Sequence, residues 1–479
     1  MGRAETIGSS PVEMGGDMEL LLIITVVIAL YWRTNNYLFL IDDPVRRWGY
    51  LLEIPETSPN QEFYASKPSK FRHLFLTLTH AVIVSIIYFL WGWKAALLFA
   101  VNPICVACSA WITGGYYQVT ALFTLVAYFF LIKIPTIYGA LIAALFFTGA
   151  LGSTINCIAI PFIFLVHPPL NGLILFWPLI MYLTGRRFNI GFRKRNSGKG
   201  DKITWRKVAV VPKVLAYYIK TTIFPKRLAF FQEFGFEYGK NPKVQKDLET
   251  FNKHFWKSAA ISIAFIGTGF LLSPLGILIY LAGILPFTQW KVLGQFVCER
   301  YLYIPMIGWT LMLAGGLAHP IATPLVLIIS VLYAYRANKY IPAFKNIENL
   351  YQNGIENFPK CISNYVNLAE RKLHTGKYYE AYKLLKQGIE IDPNSFLCHA
   401  NLAAYWLAIN RPDKGKYHTE MAMRFSEHRG MAYNIFKQQM NHIGKGLALQ
   451  KEMEKKTAEF LEEIRAKEKK VSPALCGML

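Results

Sequence analysis

The chain alternates long apolar stretches with short polar breaks. Apolar runs cover roughly 20–32, 74–91, 95–110, 119–132, 137–151, 155–166, 170–184, 259–272, 275–288, 302–317 and 320–334. They are continuous rather than a periodic scatter, which is the pattern of helices in lipid. Several fall short of the ~20 residues that span a bilayer. The breaks at Pro103, Pro135, Pro169 and Pro274 therefore predict tight turns between packed hairpins, and about eleven spans in all. The first run starts late and ends in Tyr31-Trp32-Arg33 instead of a small-residue cleavage site. It reads as a first transmembrane helix with an aromatic interface belt, not as a signal peptide.

Two polar segments interrupt the runs. The first, 33–73, carries Asp42, Asp43, Arg46, Arg47, Glu53 and Arg72. The second, 185–258, holds 18 Lys and Arg against 5 Asp and Glu. Its first part predicts a basic loop, and Val210 to Phe231 an amphipathic interfacial helix. From about 338 the runs stop and helical periodicity begins. Pro359 and Pro393 stand 34 residues apart, the tetratricopeptide period. That register places Tyr365, Leu368, Gly376, Ala381 and Leu385 in one repeat, and His399, Leu402, Asn410, Gly415 and Thr419 in the next. One good repeat is expected at 362–395, a degenerate one after it and a half-repeat at 342–359. The charged stretch 448–470 predicts a capping or protruding helix. The domain division is thus a tail over 1–18, a membrane domain over 19–337, repeats over 338–447 and a charged terminus over 448–479.

Composition narrows the class. Of 479 residues, 53% are hydrophobic and 17% charged, with mean hydropathy +0.26. An ordinary globular protein carries about 25% charged residues. Disorder is excluded and a soluble enzyme disfavoured. The net charge of +22 reads as attraction of basic loops to anionic headgroups, not as nucleic-acid binding. Seven scattered cysteines imply no disulfide framework. Cys105-Val-Ala-Cys108 has a redox or zinc-like spacing, but without a second pair it reads as buried small residues in an apolar span. Short lipidation patterns at Gly2 and Cys476 add little to a chain with many spans.

Three places carry candidate chemistry. Asp42-Asp43 follows the first span by about ten residues. Carboxylates beside a membrane are solvated, paired or used; the bland reading is an N-cap before Pro44. Arg72 precedes the second span, where an arginine ordinarily snorkels to headgroups. Glu299-Arg300 lies between two apolar runs. There a charged pair is commonly structural, but an arginine can also bind phosphate bidentately while a glutamate holds its fork.

Four stretches, in order, resemble the C-type membrane glycosyltransferases, and among them the tetratricopeptide-repeat-containing protein O-mannosyltransferases. They are Phe39-Leu-Ile-Asp42-Asp43, Ser69-Lys-Phe-Arg72-His-Leu74, Phe99-Ala-Val-Asn-Pro103 with Ala110-Trp-Ile-Thr-Gly114 and Ala121-Leu-Phe123, and Glu299-Arg-Tyr-Leu-Tyr-Ile-Pro305-Met-Ile-Gly308. The trailing repeats fit the same architecture. The resemblance implies an all-α fold: a polytopic bundle of about eleven spans, then a small tetratricopeptide domain. The chain departs from the family at Asn102, where a His is expected, at Ile104 to Cys108, at Gly115 in place of Arg, and at Gly152-Ser-Thr154. These departures bear on donor binding, sugar choice and activity itself.

The resemblance implies an integral, multi-pass enzyme of a bacterial inner membrane or the endoplasmic reticulum. It would move a sugar from a polyprenyl-phosphate donor to a protein hydroxyl or glycan acceptor by inverting displacement. Asp42 would be the base and Asp43 would orient it. Arg72 and Arg300, with Glu299, would neutralise the phosphate. No resident metal is expected; a divalent cation beside the two carboxylates stays open, although no third acidic ligand stands out. Expected partners are the lipid-linked sugar, its acceptor, membrane lipids and a protein on the repeats. A non-catalytic scaffold and a lipid-linked sugar transporter are the alternatives. An odd span count puts the N-terminus and the repeats on opposite faces. The family places the acidic pair and repeats outside the cytoplasm, and although the basic loop 185–258 points the other way, a loop of about 70 residues counts for less, so the placement outside the cytoplasm is the expectation.

Overall fold

The computed structural model describes residues 14–38, 40, 70–187, 210–232, 254–288 and 297–425. Among these residues the chain is all-helical, with no strand. It divides into two compact units, 1–228 with 251–346, and 229–250 with 347–479. The last helix of the first unit runs to Tyr340 and a 3-10 turn, Ile341–Lys345, follows it.

The first unit opens with α1 (Met14–Tyr31) and α2 (Lys70–Trp91). Helices α3 (Trp93–Ala100) and α4 (Val106–Ala110) follow. The stretch that holds them bends by 51° at the break before Pro103. Pro103 has no N–H to continue the ladder. Asn102 caps the new turn, its Oδ1 accepting from the Ile104 N–H at 3.0 Å. Next come α5 (Gly115–Lys133) and α6 (Ile137–Ser153). The runs at 155–166 and 170–184 become three 3-10 turns, Ile155–Cys157, Ile160–Leu165 and Leu170–Leu175, the last two separated by Pro168 and Pro169, before α7 (Phe176–Arg187). The unit then holds α8 (Val211–Ile223), α9 (Phe255–Leu272), α10 (Pro274–Ile284), α11 (Tyr303–Gly316) and α12 (Thr323–Tyr340).

Four helical segments are long and apolar enough to cross a membrane: Lys70–Trp91, Ile112–Lys133, Phe255–Leu272 and Pro320–Lys345. The bent pair makes a fifth if it is one span. Four shorter apolar helical segments of 10–17 residues, Ile137–Ser153, Ile155–Leu165, Leu170–Thr184 and Pro274–Phe287, hold further runs, and α1 and α11 are not among the span-length helices. At ~1.5 Å per residue even the 17-residue α6 is about 25 Å long, short of a ~30 Å hydrocarbon core. Apolar run length thus overcounts full-length helices here, since Pro and Ser caps divide the runs. Ser273, for instance, accepts from the Gly276 N–H at 3.1 Å and starts α10 with Pro274 in its first turn. Large apolar side chains such as Leu145, Trp256, Leu271 and Val331 point outward, which suits lipid.

Helix direction alternates about two ends of this unit. Tyr37, beyond α1, contacts His73 at the start of α2, with ring centroids 6.3 Å apart. At the other end the Tyr88 hydroxyl donates to Glu19. The Lys94 ammonium there donates to three carbonyls just beyond α11, at Leu317, Ala318 and His319. Glycines let α10 and α11 touch backbone to backbone: a Cβ at Gly308 would meet the Gly276 carbonyl oxygen at 2.2 Å and the Tyr280 nitrogen at 2.6 Å.

The second unit contains α13 (Ile347–Asn357), α14 (Ile362–His374), α15 (Tyr378–Ile391), α16 (Phe396–Ala408) and α17 (Pro412–Phe425). A shift of 34 residues carries the bounds of α14 onto α16 and those of α15 onto α17. It also carries Gly376 (φ 73°) onto Asn410 (φ 59°), the left-handed residues that turn each pair. Ala381 and Leu385 are fully buried, and Leu402, Gly415 and Thr419 are buried in turn. Residues 448–470 lie outside the described residues.

Candidate functional site

The Glu299-Arg300 pair sits on a 3-10 turn, Glu299–Leu302, that leads into α11. Both residues are buried, Glu299 at 1% and Arg300 at 8% exposure. The Arg300 guanidinium lies over two rings, 5.3 Å from the centroid of Trp111 and 5.4 Å from that of Tyr301. Tyr117 adds a side-chain hydrogen bond to it. The Tyr340 hydroxyl donates to Glu299 Oε1. These partners come from α5, from the turn before it and from the last residue of α12, so the pair lies where three helices converge.

The backbone of the turn is held with equal care. The Asn156 amide donates to the Tyr301 carbonyl at 3.2 Å, and the Cys298 N–H donates to the Tyr218 hydroxyl at 3.2 Å. The Cys108 thiol approaches the Arg300 carbonyl at 3.8 Å. Phe287 stacks on Tyr301 with centroids 4.0 Å apart. One turn further, Tyr303 Oη and His80 Nδ1 lie 2.7 Å apart, while His80 Nε2 lies 3.3 Å from the Ala100 carbonyl. That carbonyl can only accept, so Nε2 carries the proton and Tyr303 donates to Nδ1.

Burial works against the charge on Arg300, but Cys298, Tyr301 and Tyr117 raise its pKa above the ordinary value. It remains a guanidinium, able to take a phosphate through its planar fork if its ring contacts are exchanged. Burial pushes the Cys298 thiol up to about 11. A thiol so raised is no nucleophile near neutral pH.

Of the residues singled out in the sequence, the structure brings Glu299 and Arg300 into one buried cluster. Arg72 lies half-buried in the first turn of α2, next to His73. Asp42 and Asp43 fall outside the described residues. Leu38 and Leu40 lead towards them, and the Leu38 N–H donates to the Lys345 carbonyl at 3.1 Å, just beyond α12. The departures from the family pattern have structural occupations. Asn102 caps the bend, and a Cβ at Gly115 would fall 2.4 Å from Leu76 Cδ2, so an arginine there requires the Leu76 side chain to move. Cys105 and Cys108 are free and buried, as small interface residues are. Among the described residues no three His, Cys, Asp or Glu gather as metal ligands.

Sequence reasoning missed the aromatic walls of the cluster. Trp111, Tyr117 and Tyr340 gave only one faint signal, a polar-edged ring at the end or within a turn of an apolar stretch, and that signal fits interface belts equally well. No known protein family, curated protein or solved structure matches the chain.

Proposed function

We propose that this chain is a C-type membrane glycosyltransferase that moves a sugar from a polyprenyl-phosphate donor to a protein hydroxyl or glycan acceptor. The observation that carries the reading is the buried Glu299-Arg300 turn. A charge inside an apolar bundle costs several kcal/mol unless it is paired, hydrogen-bonded or used. Here the cation is wrapped in π-faces and the carboxylate takes a tyrosine hydroxyl, and both sit at one end of the bundle.

In this reading the first unit is the family's many-span bundle, its shorter apolar helices included. The leaving group is already a phosphate, so it calls for cations and not for a general acid. Arg300 supplies the planar fork, Glu299 holds the turn, and Arg72 adds charge at the start of α2. The acceptor hydroxyl needs a base, and Asp42 takes that role with Asp43 orienting it. The second unit is a tetratricopeptide-type domain that selects the acceptor; its 34-residue period and left-handed turn residues support this. A bound divalent cation is not required by any of these roles.

The test is transfer from labelled polyprenyl-phosphate sugars, with donor binding measured separately. Arg300→Ala should weaken donor binding and turnover together, and Arg300→Lys should restore only part. Asp42→Asn should keep donor binding and lower turnover by roughly 10²–10⁴-fold. Normal transfer by folded Asp42→Asn and Arg300→Ala variants would end the assignment. The scaffold alternative draws on the same burial, since a fully enclosed pair can serve packing alone; it predicts no transfer with any donor.

A further inference from the structure

His73 and His80 are fully buried on one face of α2, seven residues apart. His80 is satisfied at both ring nitrogens, by Tyr303 and by the Ala100 carbonyl. Among the described residues, neither ring nitrogen of His73 has a hydrogen-bond partner. The Tyr37 ring stands edge-on to it with centroids 6.3 Å apart, and the Tyr37 backbone lies near without completing a hydrogen bond. A neutral imidazole in that position forgoes one donor and one acceptor. Buried polar groups are nearly always paired, with protein, water or a ligand.

The surroundings narrow the choice of ligand. His73 closes the first turn of α2, whose first four N–H groups have no acceptor within the helix. Such an end carries about half a positive charge. The same turn holds Lys70 and Arg72 and no acidic residue. Cations there oppose the macrodipole, so the positive features stand together at a cost that an anion relieves. Arg300 lies towards the same end. Tyr303 meets His80; Arg300 stands three residues before the one, and His73 seven before the other. From that contact α2 and α11 run in the same direction, because Lys94, just past α2, reaches the carbonyls just beyond α11. Seven residues of helix place His73 about 10 Å beyond His80, on the Arg300 side.

We propose that His73 is a specificity-determining residue of the donor site: its N–H donates to a phosphate oxygen of the polyprenyl-phosphate sugar, and its other nitrogen accepts from a sugar hydroxyl. An ionised phosphate offers acceptors only and satisfies one nitrogen; a glycosyl phosphate satisfies both. Arg72 and the open first turn of α2 meet the charge of the phosphate. The residue thereby distinguishes the loaded carrier from the bare polyprenyl phosphate that transfer leaves behind, and loss of the hydroxyl contact helps that product to depart. This rests on the transferase reading and adds to it a residue that acts on binding.

The test is direct binding to the full-length protein in detergent, with melting of the empty protein measured alongside. The probes are a polyprenyl-phosphate sugar, the same polyprenyl phosphate without sugar, and phosphatidic acid as a bilayer phosphate. His73→Phe keeps a ring of similar size and removes both unpaired nitrogens, so the empty protein should melt at the same temperature or higher. Its affinity should fall roughly 100-fold for the loaded carrier and about 10-fold for the bare one, which narrows the preference for sugar. His73→Gln, with a donor and an acceptor of its own, should restore part of that preference. Phosphatidic acid should compete weakly. Competition as strong as that of the loaded carrier, with the same dependence on His73, would make the occupant a bilayer phosphate and overturn the role in sugar recognition. An unchanged preference in His73→Phe would overturn the proposal and leave the transferase reading intact. A lower melting temperature with unchanged preference would mark His73 as a packing residue. Wild-type protein that binds neither polyprenyl phosphate would remove the transferase reading and this role together.

Discussion

The two units handle polar groups in opposite ways. In the first, Glu299 and Arg300 are buried, and each is wrapped by specific neighbours, Tyr340 for one and the Trp111 and Tyr301 rings for the other. In the second, charged partners stay near the surface. Lys372 bridges Glu348 at 2.8 Å and Glu380 at 2.9 Å, with both carboxylates partly in water. Such pairs, with the Lys372 side chain 12% exposed but both carboxylates reaching water, contribute about 1 kcal/mol or less. Removing a charged member of a buried cluster instead costs about 3–5 kcal/mol. The contrast locates where the sequence has accepted an electrostatic cost, and hence where function is to be sought.

The largest expected effect follows directly. Arg300→Ala deletes a buried cation and leaves a cavity between Trp111 and Tyr301, so thermal stability of the full chain in detergent should drop by roughly 3–5 kcal/mol. Lys372→Ala should cost under about 1 kcal/mol. Arg300→Met keeps much of the volume and should recover part of the loss. Equal melting shifts for the Arg300 and Lys372 variants would erase the contrast.

How much was legible differs between the units too. The 34-residue spacing of Pro359 and Pro393 carries through to helix bounds and to the Gly376–Asn410 pair, because a repeat imposes its period on every layer of structure. The all-helical class and membrane character of the first unit were equally readable from its runs. Its helix lengths were not, since the 95–110 run bends before Pro103 and the 155–166 run divides into two 3-10 turns, Ile155–Cys157 and Ile160–Leu165. At the site, Glu299 and Arg300 stood out as the charges between two apolar runs. Trp111 and Tyr117 did not, because they meet Arg300 only through folding across nearly two hundred positions, and nothing local marks an aromatic ring as the seat of a distant cation.

Helix approach sharpens the comparison at a smaller scale. A Cβ at Gly308 meets backbone atoms of α10, which cannot move without shifting a helix, whereas a Cβ at Gly388 in the second unit meets the Cys398 Sγ at 2.6 Å. Gly308→Ala should therefore cost about 1–3 kcal/mol through forced separation of α10 and α11. Gly388→Ala should cost less, since a side chain can rotate away. The turn residues form a second matched pair. Gly376→Ala places a Cβ at φ 73° and should cost ~1–2 kcal/mol, while Asn410→Gly should stabilise by a few tenths to ~1 kcal/mol. Denaturant unfolding of each variant checks both; a neutral Gly376→Ala would mean that the two repeats do not share a turn.

The smallest effect is a pH dependence confined to the second unit. His399 Nδ1 and His418 Nδ1 lie 2.9 Å apart, and His399 Nε2 lies 3.0 Å from the Pro393 carbonyl. The carbonyl fixes the His399 proton on Nε2, so His418 donates from Nδ1 and both rings are held neutral. Burial lowers the pKa of each. It brings His418 down to about 4, with His399 and Lys414 adding repulsion, while on His399 the Pro393 hydrogen bond and Asp392 oppose the shift. The unfolded chain thus binds more protons than the folded one between the ordinary histidine value and about 4. Stability from the pair is full above pH ~6.5 and is lost as pH falls through that window. Allowing for solvent at His418, the loss from pH 7 to 5 is on the order of 1 kcal/mol. Hydrogen exchange should show α16 and α17 loosening over that interval, with amides of α10 and α11 as the internal reference, and His418→Gln should flatten the response. Loosening of α10 and α11 in the same step would assign the transition elsewhere and remove the histidine pair as its cause.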